Sequence, residues 1–183
     1  MNDSEKEQYL IKKWQLLCSV HKLTKHYTLL AEEYSIKMSA YIQPMKEHRD
    51  AYDHLIRAND VYYGHQNEKD FDYVLSQLDK AIGHEYRAFY DTLDYLSIIL
   101  RENLSESLKY FSYTQIINVY PEYENIKKQL LLLPQEIARH REEKDIGNEN
   151  RIVIAQKYGK IIDELICCYQ KIVENVLSKI EFK

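Results

Sequence analysis

One stretch constrains the fold of this chain more than any other. Phe71, Leu75, Leu78, Ile82, Tyr86, Phe89, Leu93, Leu96 and Leu100 follow one another in steps of four and three residues. An α-helix turns about 100° per residue, so such steps return to one face, whereas a strand would alternate apolar and polar positions. The run predicts a long helix whose apolar seam packs on a neighbour in the manner of a coiled coil. Gly83 lies within it at a cost of about 1 kcal/mol relative to Ala, and either a close helix crossing, the preferred reading, or mere tolerance would account for the residue.

The rest of the chain follows the same period. From about Ser4 to Ala40, Leu10, Trp14, Leu17, Ala31, Tyr34 and Met38 recur at helical spacing. Pro44 suits the first turn of a second helix, which runs to the Gly64 region, and a polar break is expected from His65 to Lys69. Ser105, Glu106 and Ser107 carry a capping signal for a shorter helix through Phe111, Ile116 and Ile117, stopped at Tyr120–Pro121. A fifth segment passes Ile126, Leu130 and Leu133 and reaches about Glu143, with Pro134 as a kink. After a loop from Asp145 to Asn150, around Gly147, the last helix runs from Arg151 to about Ile180 with a broad apolar face. Only four Gly and three Pro punctuate the 183 residues. The expected class is all-α: an up-and-down bundle of four long helices plus one or two shorter ones, forming a single domain over residues 1–183.

The charges exclude some roles. Twenty-five basic and 29 acidic side chains are interleaved to a net −4, so the chain lacks the concentrated basic surface of a general nucleic-acid binder. Cys18, Cys167 and Cys168 are odd in number and suit neither a disulfide framework nor zinc-ligand spacing; they read as small apolar core residues in a reducing compartment. No segment approaches the roughly 18 consecutive apolar residues that span a membrane, and the polar first residues do not resemble a signal peptide. A cytoplasmic location is the expectation.

Candidate chemistry concentrates in two segments. Asp50, His54 and Arg57 share one stripe of the second helix; His84, Arg87 and Asp91 share one of the third. If the helices are antiparallel neighbours, the stripes could meet and place two imidazoles beside guanidinium groups suited to phosphate. Measured from Ile82, however, His84, Arg87 and Asp91 lie roughly 140° to 200° from the seam, which places them on a solvated face.

Arg49, followed by polar Asp50 and then by His54, resembles the Arg–polar–His signature of the HEPN family. That resemblance, which covers about six residues plus the helical character of the chain, implies a small helical bundle. Many HEPN domains are metal-independent ribonucleases that pair as dimers and assemble their site from two copies of the motif. His54 would then act as general acid or base on the ribose 2′-hydroxyl, Arg49 would hold the phosphate, and Asp50 would occupy the polar position. On a straight helix Arg49 and His54 point about 140° apart, so one cleft accepts both only where the helix is distorted.

No Glu is followed by His at the i, i+3 spacing of a di-iron bundle; Glu136 and His140 are four apart. The chain has no Gly-rich phosphate loop, no nucleophile elbow and no paired-Cys motif, so neither metal nor cofactor is expected. His21 falls within the apolar periodicity of the first helix and reads as a core-edge histidine. Two functions are compatible with these residues. One is a HEPN-like ribonuclease or nucleotide-binding protein using Arg49, His54, Asp50, Arg57, His84, Arg87 and Asp91, with RNA or a nucleotide as partner. The other is a non-catalytic helical module that joins a second copy or another helical protein through the leucine-rich seam or the last helix.

Overall fold

The computed structural model describes residues 3–35, 42–64, 70–143 and 151–179. Of these residues 92% are helical, in six α-helices, and no strand occurs among them. The helices are α1 (Asp3–Tyr34), α2 (Ile42–Tyr63), α3 (Phe71–Leu108), α4 (Tyr113–Val119), α5 (Tyr123–Glu143) and α6 (Arg151–Ile172), followed by a π-helical turn, Val173–Leu177. Met38, Ala40, the break at 65–69, the loop at 145–150 and Ile180 lie outside the described residues. None of the helices is long and apolar enough to cross a membrane.

The chain organises into two compact units, Met1–Asp94 and Tyr95–Lys183. In the first, the seam of α3 is buried at Leu78, Ile82, Tyr86, Phe89 and Leu93, while Phe71 and Leu75 near its start are half-buried. Helix α1 supplies the opposing apolar layer from Leu10, Leu17, Val20, Tyr27 and Ala31, and the ring of Tyr27 meets Phe89 edge-on at 5.8 Å. Helix α2 turns only small residues, Ala51 and Ala58, into the apolar layer. Its other buried positions are Pro44 and Glu47.

In the second unit, Leu104, Ile116, Tyr123, Ile126, Cys168, Ile172 and Val176 form one cluster. Helix α3 does not end near Leu100; it continues to Leu108, so Ser105–Ser107 sit in its last turns. The cap of α4 is Ser112, whose hydroxyl accepts from the Gln115 backbone while the Gln115 side chain accepts from the Ser112 N–H. Ser105 matches the general signal, but only Ser112 has a Gln three residues on and an extended backbone before the first turn. Helix α5 carries Pro134 within it, and α6 passes into the π-helical turn before 180. Of the cysteines only Cys168 is buried; Cys18 and Cys167 face solvent, so the expectation of three core thiols is corrected. Burial pushes the Cys168 thiol above its ordinary value of 9.0.

Leu93 is fully buried, and Leu93→Ala leaves a cavity at the centre of the seam. The expected loss is about 2–5 kcal/mol in urea unfolding; a loss below about 0.5 kcal/mol would show that the seam is not the core.

Candidate functional site

The face of α2 that carries Glu47, His48 and His54 is turned towards α3. It lies against the face of α3 that carries His84 and Arg87, the face expected to be solvated, so α3 is covered by apolar side chains on one side and by α2 on the other. The angular argument placed these residues correctly relative to the seam. Arg87 is 54% exposed as expected of a solvated face, whereas His84 is only 18% exposed because α2 covers it.

Two adjacent Glu–His dipeptides meet here, Glu47-His48 on α2 and His84-Glu85 on α3. The Glu47 carboxylate lies 2.8 Å from His84 Nδ1, and the Glu85 carboxylate 3.0 Å from His48 Nδ1, so each helix supplies one acid and one imidazole to the other. Both acids are nearly buried, with side chains 12% and 7% exposed. A carboxylate withdrawn from water needs compensating donors or charge, and the two acids obtain them differently.

Glu47 has a permanent cation. Arg87 donates from Nε to Oε2 at 2.7 Å. Burial would raise the Glu47 carboxyl, but the hydrogen bonds and charges of Arg87 and His84 outweigh it and hold the group below its ordinary 4.5. Arg87 Nη2 also approaches His84 Nδ1 at 2.6 Å. That ring nitrogen serves one neighbour at a time: protonated, it donates to Glu47; bare, it accepts from Arg87. The ring of His54 stacks on His84 with centroids 5.2 Å apart, and its Nδ1 lies 2.7 Å from Oε1 of buried Gln77.

Glu85 is served by histidines. Besides His48, His21 of α1 places Nδ1 3.3 Å from Oε2. The two rings meet edge-on at 5.8 Å, and among the described residues no Lys or Arg pairs with this carboxylate. His21 is therefore not a core-edge histidine: its side chain is 54% exposed and reaches across to α3.

The remaining candidates are dispersed. Arg49 is 71% exposed and forms a two-pronged contact with Asp50, at 2.9 and 2.7 Å. That bond holds the Asp50 carboxyl below its ordinary 3.8. Arg49 and His54 thus occupy different faces of an undistorted helix, one in solvent and one against α3. Arg57 pairs with Asp53 at 2.7 Å, with both side chains 55% exposed, which makes it a surface ion pair of small energetic weight. Asp91 is half-buried one turn beyond Arg87. The structure therefore brings together His54, His84 and Arg87 from the expected set, and adds Glu47, His48, Glu85, His21 and Gln77.

Two depressions flank this layer within the first unit. One, of about 600 Å³, is lined on α3 by Ser76, Lys80, Gly83, His84 and Arg87 and on α1 by Tyr9. A Cβ built on Gly83 would meet only Arg87 Nη1, at 3.6 Å, so the residue does not mark a close helix crossing; it leaves the groove floor open. The other, of about 500 Å³ and mostly apolar, runs past Trp14, Leu17, Leu29 and Tyr52 to His21, His48 and Glu85.

Comparison of the chain with family models, with curated proteins and with solved structures gives no match.

Proposed function

We propose that the first unit binds a phosphate ester of the nucleotide or RNA class in the groove between α1 and α3. The observation that carries this reading is the convergence of His84 and Arg87 with Lys80 along one groove wall, beside the exposed ring of Tyr9. Arg87 spends its Nε on Glu47 but remains 54% exposed, which leaves guanidinium N–H groups for an anion. Asp79, on the same wall, is neutralised by an ion pair with Lys13. Tyr9 offers a π-face for a base, and Gly83 lets a ligand approach the helix backbone. His54, stacked behind His84, completes a pair of imidazoles beside the groove wall. Calorimetric titration with a nucleoside triphosphate and with a short single-stranded RNA tests the reading. Saturable binding that weakens about tenfold or more in the Lys80→Ala/Arg87→Ala double variant is expected, a loss of about 1.4 kcal/mol. Wild-type protein that binds neither probe contradicts it.

The outer face of α2 favours a second reading, in which the protein associates with a second copy of itself. Ile42, Met45, Tyr52, Ile56 and Tyr63 are all exposed and fall at the alternating three- and four-residue positions of a coiled-coil stripe, with Arg49 on the same line. The leucine-rich seam of α3 and the broad face of α6, expected to serve as interaction surfaces, are instead taken up by the core. Pairing along α2 would bring the Arg49 residues of two copies to the interface, as the HEPN resemblance implies, whereas His54 faces Gln77 of α3 and stays off it. Sedimentation should give a dimer that Tyr52→Glu/Ile56→Glu converts to monomer. A monomeric wild-type protein at high micromolar concentration contradicts it.

A further inference from the structure

We propose that His21, His48 and Glu85 form a binding site for a divalent transition-metal ion of the zinc class. The three residues come from three helices, and one potential ligand atom from each lies within 4.8 Å of the other two. Each imidazole faces its own oxygen of the carboxylate, His48 Nδ1 at 3.0 Å from Oε1 and His21 Nδ1 at 3.3 Å from Oε2, spacings comparable to those of neighbouring ligands on an ion. With bonds of about 2.0–2.1 Å, ligand atoms around a tetrahedral or octahedral centre stand roughly 3.0–3.4 Å apart.

Charge makes the stronger case. The layer contains two nearly buried carboxylates of similar setting, and one of them, Glu47, is matched by the guanidinium of Arg87. Glu85 is the more deeply buried, yet among the described residues its side chain meets only the two imidazoles. The imidazoles donate hydrogen bonds to it, and a divalent cation would add the fixed positive charge that an arginine supplies to Glu47. Two imidazoles and one carboxylate also select the ion: nitrogen ligands suit zinc, cobalt or iron and disfavour magnesium and calcium.

The surroundings fit a site with open coordination positions. Three protein ligands leave at least one position for water or substrate. All three residues line the mostly apolar groove of about 500 Å³, and His21 and His48 are partly exposed along it. A water on the ion would therefore face a depression walled by Trp14, Leu17 and Tyr52. The assignment is independent of the phosphate groove, which lies along Lys80 and Arg87 and shares none of these three ligands.

Cobalt(II) is the probe, because its visible absorption reports coordination directly. Full-length protein carrying Cys18→Ser and Cys167→Ser, so that exposed thiols take no metal, is stripped with chelator and titrated with cobalt(II), then with zinc(II). The expected result is saturation at one equivalent, displacement by zinc, and no displacement by excess magnesium. His21→Ala, a substitution at a half-exposed position that should leave the fold intact by circular dichroism, should weaken binding on the order of 100-fold, and so should His48→Ala. Failure to saturate, or a titration unchanged in both histidine variants, overturns the proposal and leaves Glu85 as the acceptor of a hydrogen-bonded histidine pair.

Discussion

Two carboxylates withdrawn from water among three helices set the terms for the first unit. Leaving such a group unmatched costs several kcal/mol, comparable to much of a small domain's net stability. The solution is reciprocal: Glu47 of α2 takes His84 of α3, and Glu85 of α3 takes His48 of α2. Because each dipeptide contributes one acid and one imidazole, sliding α2 along α3 would break both contacts together. The pairing specifies register where the apolar contribution of α2, Ala51 and Ala58, is too small to do so.

The same arrangement divides α2 into two working faces. Inward, its polar side chains are locked against α3 and leave His84 and Arg87 along one groove and His48 along another. Outward, Ile42, Met45, Tyr52, Ile56 and Tyr63 stand in solvent in a regular stripe. A helix in a monomer that works alone more commonly shows scattered apolar residues on its outer side than an ordered row. The groove along Lys80 and Arg87 and the outer stripe use different residues and can be separated by substitution.

Helix class and core were legible because they depend on periodicity, which is local. Leu78, Ile82, Phe89, Leu93, Leu96, Leu165 and Ile172 are buried as the 3.6-residue repeat requires. Helix boundaries were less so: the Ser105–Ser107 signal lies inside α3 because packing of Leu104 into the second cluster extends the helix past it. The convergence of His54, His84 and Arg87 could be posed from stripes on two helices, but Glu47, the acceptor for His84 and Arg87, carried no mark of burial in a segment dense with charge. The His21–His48–Glu85 set was out of reach of spacing rules altogether. Its members are separated by 37 and 64 positions from Glu85, on three helices, whereas motif recognition looks for ligands within one or two turns.

A double-mutant cycle on Glu47→Gln and His84→Ala, read by urea unfolding, measures whether the reciprocal pairing organises this unit. The account predicts a coupling energy of about 1 kcal/mol or more, since each substitution alone removes a contact the other residue depends on. Additive effects within about 0.3 kcal/mol would mean that the two side chains do not depend on each other, and the placement of α2 on α3 described here would be wrong.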